Sequence, residues 1–576
     1  STAFKKVKIE KVEITNFRNF ESATVFFKGS TLVIGANDIG KTNLMFALRL
    51  LLDKSLSERD IEPSETDFHI KPDGSQASDF SILIQFSDVQ EEAVLSVLRG
   101  YVSDDSRTVF KLTASKENLD YKFYAGSAEA ELEEISSRFY LKYINLRYIK
   151  SQRDLHKFID IEKKHLLKIS QADRDDAETA TDNKQLDRIG KSLNMVNERV
   201  RRLNYVKSST DLVNEELQKL AYTFNGYGVH LDSGAIQVQQ FIDNLQLSAS
   251  SSGSKIMLGG DGRNNQILLA LWKAKSQREH DPDHEVVFYC VEEPEAHLHP
   301  HQQRKLADYL INELPGQTLI TSHSPQITAR YSPDSIAHII NRGNGSYAAS
   351  NGCSECISDT WDELGYRLSI LPAEAFFSRV VLLVEGPSEQ LFYTELAKAN
   401  GIDLDFYNIS ILPVDGVQFK VYVNVLNAME IPWVLRTDND VSKITVQGVE
   451  LRNLAGINRC LDLLGLQKHN HADVATTAQS LVQSGDWQNI SNQINPHNTF
   501  LSKVDLEDDL AGEMPAQLLA YTGKTNAADA IKYMAGKKAI RMRGFLKAHK
   551  SELNSLGGGE LAKPLLRSLE VAQGIV

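Results

Sequence analysis

The stretch Thr31-Leu32-Val33-Ile34-Gly35-Ala36-Asn37-Asp38-Ile39-Gly40-Lys41-Thr42-Asn43 decides the fold class. Residues 31–34 are an apolar run that reads as a short buried strand, and residues 42–52 read as a buried helix. The loop between them fits Gly-x4-Gly-Lys-Thr. Its glycines let backbone N–H groups turn inward around phosphates, and the following helix N-terminus favours negative charge. Lys41 is spaced to reach β/γ-phosphates and Thr42 to ligate Mg²⁺. Gly35, Asn37, Asp38, Ile39, Gly40, Lys41, Thr42 and Asn43 are therefore the candidate nucleotide-binding residues of an α/β domain.

The acidic strand that completes such a site lies far downstream. Val286 to Val291 is a wholly apolar run that ends in Glu292-Glu293-Pro294-Glu295. Buried parallel strands read this way, and their C-terminal ends are where α/β sheets bind ligands. Glu292 is expected to ligate or orient Mg²⁺ and Glu293 to position and deprotonate the attacking water. A second strand, Thr318 to Thr321, ends in a polar turn that offers His323 to the γ-phosphate. Gly-rich residues 259–262 open a helix, so that Gly262 and Arg263 can engage a nucleotide from a partner subunit.

A second constellation follows. Val380 to Val384 reads as a buried strand that delivers Glu385, after which Gly386-Pro387 turns the chain and Ser388-Glu389 starts a helix. Ile431 to Arg436 forms another strand that delivers Asp438 and Asp440. Residues i and i+2 of an extended chain share a face, so both carboxylates are expected to enter one cavity. Hard oxygen ligands of this kind suit Mg²⁺ or Mn²⁺, and crowded like charges are costly without a cation.

The order of the first set of motifs resembles the ABC-type ATPases of the SMC and RecF class, which sandwich nucleotide between two subunits. The signature at residues 259–262 departs from the expected Ser-Gly-Gly pattern. One Glu followed by Asp-x-Asp resembles the Toprim fold. An ATPase followed by Toprim resembles the OLD (overcoming lysogenization defect) nucleases, and above all the branch found in Gabija anti-phage systems. The resemblance runs through residues 14–20, 37–43, 293–295, 322–325, 384–389, 437–440, 456–461 and 504–507 and is weakest between residues 151 and 250.

That resemblance implies a catalytic set. Glu385 and Glu389 match Glu-Gly-Pro-Ser-Glu, and Asp438 and Asp440 match the Asp-x-Asp. Asp505 falls on a later acidic motif, with Glu507 as a neighbouring candidate. A catalytic lysine matches Lys538, with Lys537 competing. Glu385, Glu389, Asp438, Asp440 and Asp505 would hold two metals, and Lys538 would neutralise the scissile phosphate. The implied fold is an ABC-type P-loop ATPase with an inserted helical dimerisation arm, followed by a Toprim α/β domain. Its expected segments are 1–150 and 251–370 for the ATPase, 151–250 for the arm and 371–576 for the Toprim nuclease. The implied partners are double-stranded DNA, further copies of the chain as a dimer or tetramer, and a UvrD-like helicase.

Composition agrees with this and excludes other classes. The chain has 576 residues, 42% hydrophobic and 24% charged, with a net charge of −13. That length exceeds one core, and the charge argues against a generic polyanion binder while leaving room for local basic patches. No apolar run approaches the roughly 20 residues that span a bilayer. Four cysteines make no disulfide framework, so a reducing cytoplasm is expected. Gln185 to Leu220 shows helical periodicity. Residues 171–184 read as an exposed loop and 248–254 as a flexible stretch. His297, His299 and His301 mimic metal spacing, and Cys353 with Cys356 is a lone CxxC; both read as incidental. The rival reading is a RecF-like ATPase clamp that binds DNA or repair partners without cutting.

Overall fold

The computed structural model describes residues 7–35, 38–150, 155–220, 228–231, 238–251, 254–257, 267, 270–271, 274, 285–296, 298–313, 316–354, 373–416 and 418–576. Two six-stranded sheets build the front half. The first is antiparallel and contains β1 (Lys8–Phe17), β2 (Phe20–Phe26), β4 (Asp79–Ser87), β5 (Thr108–Ser115), β6 (Asp120–Gly126) and β7 (Glu133–Ile135), in the order β2-β1-β4-β5-β6-β7. The second contains β3 (Ser30–Ile34), β8 (Ile144–Ile149), β11 (Val286–Glu292), β12 (Thr318–Thr321), β13 (Ile336–Asn341) and β14 (Ser346–Ala348), in the order β14-β13-β3-β12-β11-β8. All its neighbours are parallel except β14, which pairs antiparallel with β13 at the edge.

Helix Asp38–Leu52 lies in the first core cluster with both sheets. Leu44, Met45, Leu48, Leu51 and Leu52 are fully buried. Truncating one of them to Ala costs about 2–5 kcal/mol, so the P-loop stands on a rigid base.

The segment from residue 87 to the helices is mostly strand, β5 to β8. Helices then occupy Leu155–Ala172, Asp176–Arg201 and Asn204–Leu220. The stretch 171–184 is a helix start rather than a loop. Asp175 accepts from the Glu178 N–H at 2.7 Å, and Glu178 accepts back from the Asp175 N–H. This reciprocal cap overrides the polar composition that suggested disorder. Ser248–Ser251 (β9) and Ser254–Met257 (β10) likewise pair as antiparallel strands.

The rear half is built on a four-stranded all-parallel sheet. It contains β15 (Val380–Val384), β16 (Ile409–Pro413), β17 (Trp433–Thr437) and β20 (Thr499–Leu501), in the order β16-β15-β17-β20. A short hairpin of β18 (Ser442–Val446) and β19 (Val449–Asn453) projects between β17 and β20. One face of the sheet packs Val380, Leu382 and Val384 against Phe392, Leu396, Phe545 and Leu565. The opposite face shares a core with the front half, where Val381 and Leu383 join Val291, Ile320, Ile336, Val425 and Leu426. The P-loop sheet and the rear sheet thus bury apolar surface in common. Among the described residues no helix is long and apolar enough to cross a membrane.

Candidate functional site

Three adjacent parallel strands bring the front site together. β3, β12 and β11 are neighbours, with Thr321 opposite Val33 and Glu292 opposite Thr321, so their C-terminal ends lie level. β3 runs into Gly35, where a Cβ would meet the Ile339 carbonyl at 2.8 Å; the loop passes β13 this closely only as glycine. Lys41 is buried with its Nζ 2.9 Å from His323 Nε2. His323 Nε2 lies 3.3 Å from Glu293 Oε1, and Glu293 sits at a left-handed φ of 46° beyond the strand's alternation. Three residues far apart in sequence thus form one chain at the strand ends.

Glu292 is buried and accepts from the Tyr148 hydroxyl at 2.7 Å, while its other carboxylate oxygen has no hydrogen-bond partner. Burial pushes the Tyr148 phenol far up, so it stays a donor, and Arg49 covers its ring at 4.0 Å. Glu295 accepts from Ser322 Oγ at 2.6 Å and the His323 N–H at 3.0 Å, which fixes the turn that carries His323. Asn43 donates to Asn19 at 2.7 Å and accepts from Arg18 at 2.9 Å. Asp38 and Ile39 open the P-loop helix and Thr42 lies in its first turn. Asn37, Gly262, Arg263, His297 and Cys356 lie outside the described residues.

The rear site repeats this construction. β15, β17 and β20 are adjacent, with Leu383 opposite Leu435 and Thr437 opposite Leu501. They deliver Glu385, the Asp438–Asp440 loop and the turn to Asp505. Asn439 ties two of these ends together: its N–H donates to the Val504 carbonyl at 2.9 Å and its side chain to the Lys503 carbonyl at 3.0 Å. Glu385 Oε1 accepts from Thr437 Oγ1 at 2.6 Å, the Asp438 N–H at 3.1 Å and Arg459 Nη1 at 3.3 Å. Glu389 is buried in the first turn of helix Pro387–Ala399 and accepts from the Gly386 N–H at 3.0 Å. Asp505 caps helix Leu506–Glu513 by accepting from the Asp508 N–H at 2.9 Å.

Asp438 and Asp440 do not share one environment. Asp438 points inward, with Oδ1 3.8 Å from Arg436 Nη1 and no hydrogen-bond partner of its own. Asp440 is exposed at the rim, where Arg459 Nη2 holds its Oδ2 at 2.8 Å. The strand ends at Thr437, so the alternation that would align the two carboxylates is broken in the loop. Burial pushes Asp438 up to about 8; Glu385, Glu389 and Asp505 push the same way, against Arg436. Burial also raises Glu389 and Glu507, and Glu507 leaves both buried carboxylate oxygens without partners. Lys538 opens helix Lys538–His549. Burial works against its charge, but Glu507, Asp438, Glu389 and Asp505 outweigh that and raise its pKa.

These residues fit a divalent cation in charge and donor type. The orphaned Asp438 oxygen, surrounded by like charges, needs one. The set is nevertheless open: among the described residues no three His, Cys, Asp or Glu side chains stand ready to enclose an ion. Arg436, which sequence reading passed over, is buried between Asp438 and Asp509, donating to Asp509 at 2.9 Å. Arg459 and Tyr148 were also passed over. His299 caps helix Pro300–Asn312, His301 contacts Arg304, and Cys353 is a buried free thiol.

Comparison with known proteins agrees with both halves. The AAA ATPase domain family matches residues 8–328, and the TOPRIM domain of overcoming-lysogenization-defect-like proteins matches residues 376–440. "Endonuclease GajA" of Bacillus cereus (strain VD045) is 24% identical over 535 residues, covering 88% of this chain and 89% of that protein. "Old nuclease" of Escherichia phage P2 is 24% identical over 479 residues, covering 75% of this chain and 77% of that protein. Among solved structures, an SmcHead bound to the C-winged helix domain of ScpA covers 59% of this chain and 97% of its own, at 17% identity and a TM-score of 0.38.

Proposed function

Because this chain belongs to the AAA ATPase domain family and carries an OLD-like TOPRIM domain, we propose that it is a divalent-metal-dependent DNA endonuclease governed by nucleotide at its P-loop. The observation that carries the reading is the cluster at the ends of β15, β17 and β20. Glu385, Glu389, Asp438 and Asp505 crowd there with an orphaned Asp438 oxygen, and Lys538 faces them.

Glu385, Asp438 and Asp440 are the proposed principal ligands, with Glu389 and Asp505 behind them. A bound Mg²⁺ or Mn²⁺ supplies charge neutralisation and an activated water for phosphodiester hydrolysis. Lys538 places its ammonium against the scissile phosphate, where developing charge is greatest. Arg436 balances the buried negative charge from behind. A clamp that only binds DNA has no use for this many carboxylates gathered at the ends of β15, β17 and β20, which disfavours the RecF-like alternative.

At the front site Lys41 and Thr42 take the phosphates and Mg²⁺ of ATP, Glu292 orients the ion, Glu293 activates water, and His323 bridges Lys41 to Glu293. The resemblance to the OLD nucleases suggests that nucleotide binding restrains cutting, and the core shared by the two halves, with the β13–β14 edge, offers a route for that control. Double-stranded DNA is the proposed substrate. Met195, Val196, Tyr205, Leu212 and Val213 are exposed on the helical arm, which supports pairing with a second copy. Two relatives that are named nucleases support the cutting reading, and the resemblance to the OLD nucleases of Gabija systems is what suggests an anti-phage role with a UvrD-like helicase partner.

Incubation of supercoiled plasmid with Mg²⁺ and no nucleotide tests the cutting reading. The parent nicks the plasmid and Glu385→Ala does not; equal nicking by both would refute the site.

A further inference from the structure

Arg459 lies on helix Ala455–Leu463, and that helix rests directly on the Asp-x-Asp loop. A Cβ at Gly456 would meet the Asp438 carbonyl oxygen at 2.4 Å and the Asp440 nitrogen at 2.7 Å. The Gly456 N–H donates to the Asp440 carbonyl at 3.0 Å. The contact is close because residue 456 has no side chain, and it fixes the helix relative to the loop. Arg459, one turn further on, then reaches back over the loop. Its Nη2 lies 2.8 Å from Asp440 Oδ2 and its Nη1 lies 3.3 Å from Glu385 Oε1, and Nη1 also donates to Thr437 Oγ1.

One guanidinium therefore spans two carboxylates delivered by two different strands. The planar fork of arginine suits this, because a lysine ammonium is a single point charge. Glu385 Oε1 and Asp440 Oδ2 are both taken, whereas Glu385 Oε2 and Asp440 Oδ1 receive no hydrogen bond from the described residues. Each carboxylate is held by one oxygen and presents the other.

We propose that Arg459 is a positioning residue: it pins one oxygen of Glu385 and one of Asp440 so that the free oxygen of each faces a divalent cation. This rests on the metal-dependent reading above. Groups that orient metal ligands change metal affinity about 10–100-fold when removed.

Mn²⁺ binding to the nucleotide-free protein, followed by electron paramagnetic resonance, tests the role without relying on cleavage. Glu385→Gln defines the signal that belongs to this centre. Arg459→Ala is expected to weaken that binding about 10–100-fold, with Arg459→Lys falling between it and the parent. In plasmid nicking the Mg²⁺ needed for half-maximal rate rises by a similar factor, while the rate at saturating Mg²⁺ returns to within a few fold of the parent. A merely structural role would lower the thermal midpoint and leave the metal curve in place. Arg459→Gln serves as the second variant should Arg459→Ala not fold. Unchanged or tighter Mn²⁺ binding in a folded variant overturns the role of Arg459 alone. Absence from the parent of any Mn²⁺ signal sensitive to Glu385→Gln overturns the metal centre, and the proposal with it.

Discussion

His338 Nδ1 donates to the Met429 carbonyl oxygen across 2.7 Å, joining β13 of the P-loop sheet to the chain that enters β17. On its other side β13 carries Ile339, whose carbonyl lies against Gly35 of the P-loop. A single strand thus touches the nucleotide loop and the segment that leads to Asp438.

His338 is partly buried, and desolvation lowers its pKa below the ordinary value of 6.5. The unfolded chain therefore takes up this proton first as pH falls. The contribution of His338 to stability is complete above about 6.5 and is lost as pH drops through 6.5 towards the folded value. Thermal midpoints measured across this range fall more steeply for the parent than for His338→Gln.

Glu430 sits beside this joint. Its Oε1 accepts from Tyr347 Oη at 3.1 Å and pairs with Arg342, whose guanidinium lies 4.6 Å from the Tyr347 ring. Glu430→Ala releases both β13–β14 contacts without touching either site. The effect of ATP on nicking is expected to change by about 0.5–2 kcal/mol, roughly 2- to 30-fold. The nucleotide-free nicking rate stays at the parental level, as a plasmid assay with and without ATP will read.

Asp509→Ala strands Arg436, a buried cation whose 2.9 Å partner is then gone. Breaking one side of a buried pair costs about 3–5 kcal/mol. Urea denaturation shows the loss as a lower midpoint, and Asp509→Asn, which keeps an acceptor, loses less.

Gly456→Ala forces a methyl group into the Asp438–Asp440 backbone. The loop shifts, and a displacement of about 1 Å at a reacting centre costs on the order of 100-fold in rate. Nicking falls by that order while circular dichroism stays native.

Much of both sites was legible because strand ends deliver chemistry. The apolar runs before Gly35, Glu292, Glu385 and Asp438 identified four strands, and their adjacency in the sheets brings their polar ends together. Arg436 could have been found as a charged residue inside an apolar strand. Arg459 fell inside the resembling stretch 456–461, but its role was not readable because it follows from a helix docked through Gly456, and Tyr148 left no signal because its role follows from the pairing of β8 with β11. The polar run at 171–184 misled because an N-cap pair, rather than apolar spacing, starts that helix.

The most direct measurement compares nicking of supercoiled plasmid in Mg²⁺ by the parent, Asp438→Asn and Lys41→Ala, each with and without ATP. The account predicts that the parent nicks and is restrained by ATP, that Asp438→Asn is inactive in both conditions, and that Lys41→Ala nicks but ignores ATP. Parental nicking by Asp438→Asn, or full ATP restraint in Lys41→Ala, would contradict it.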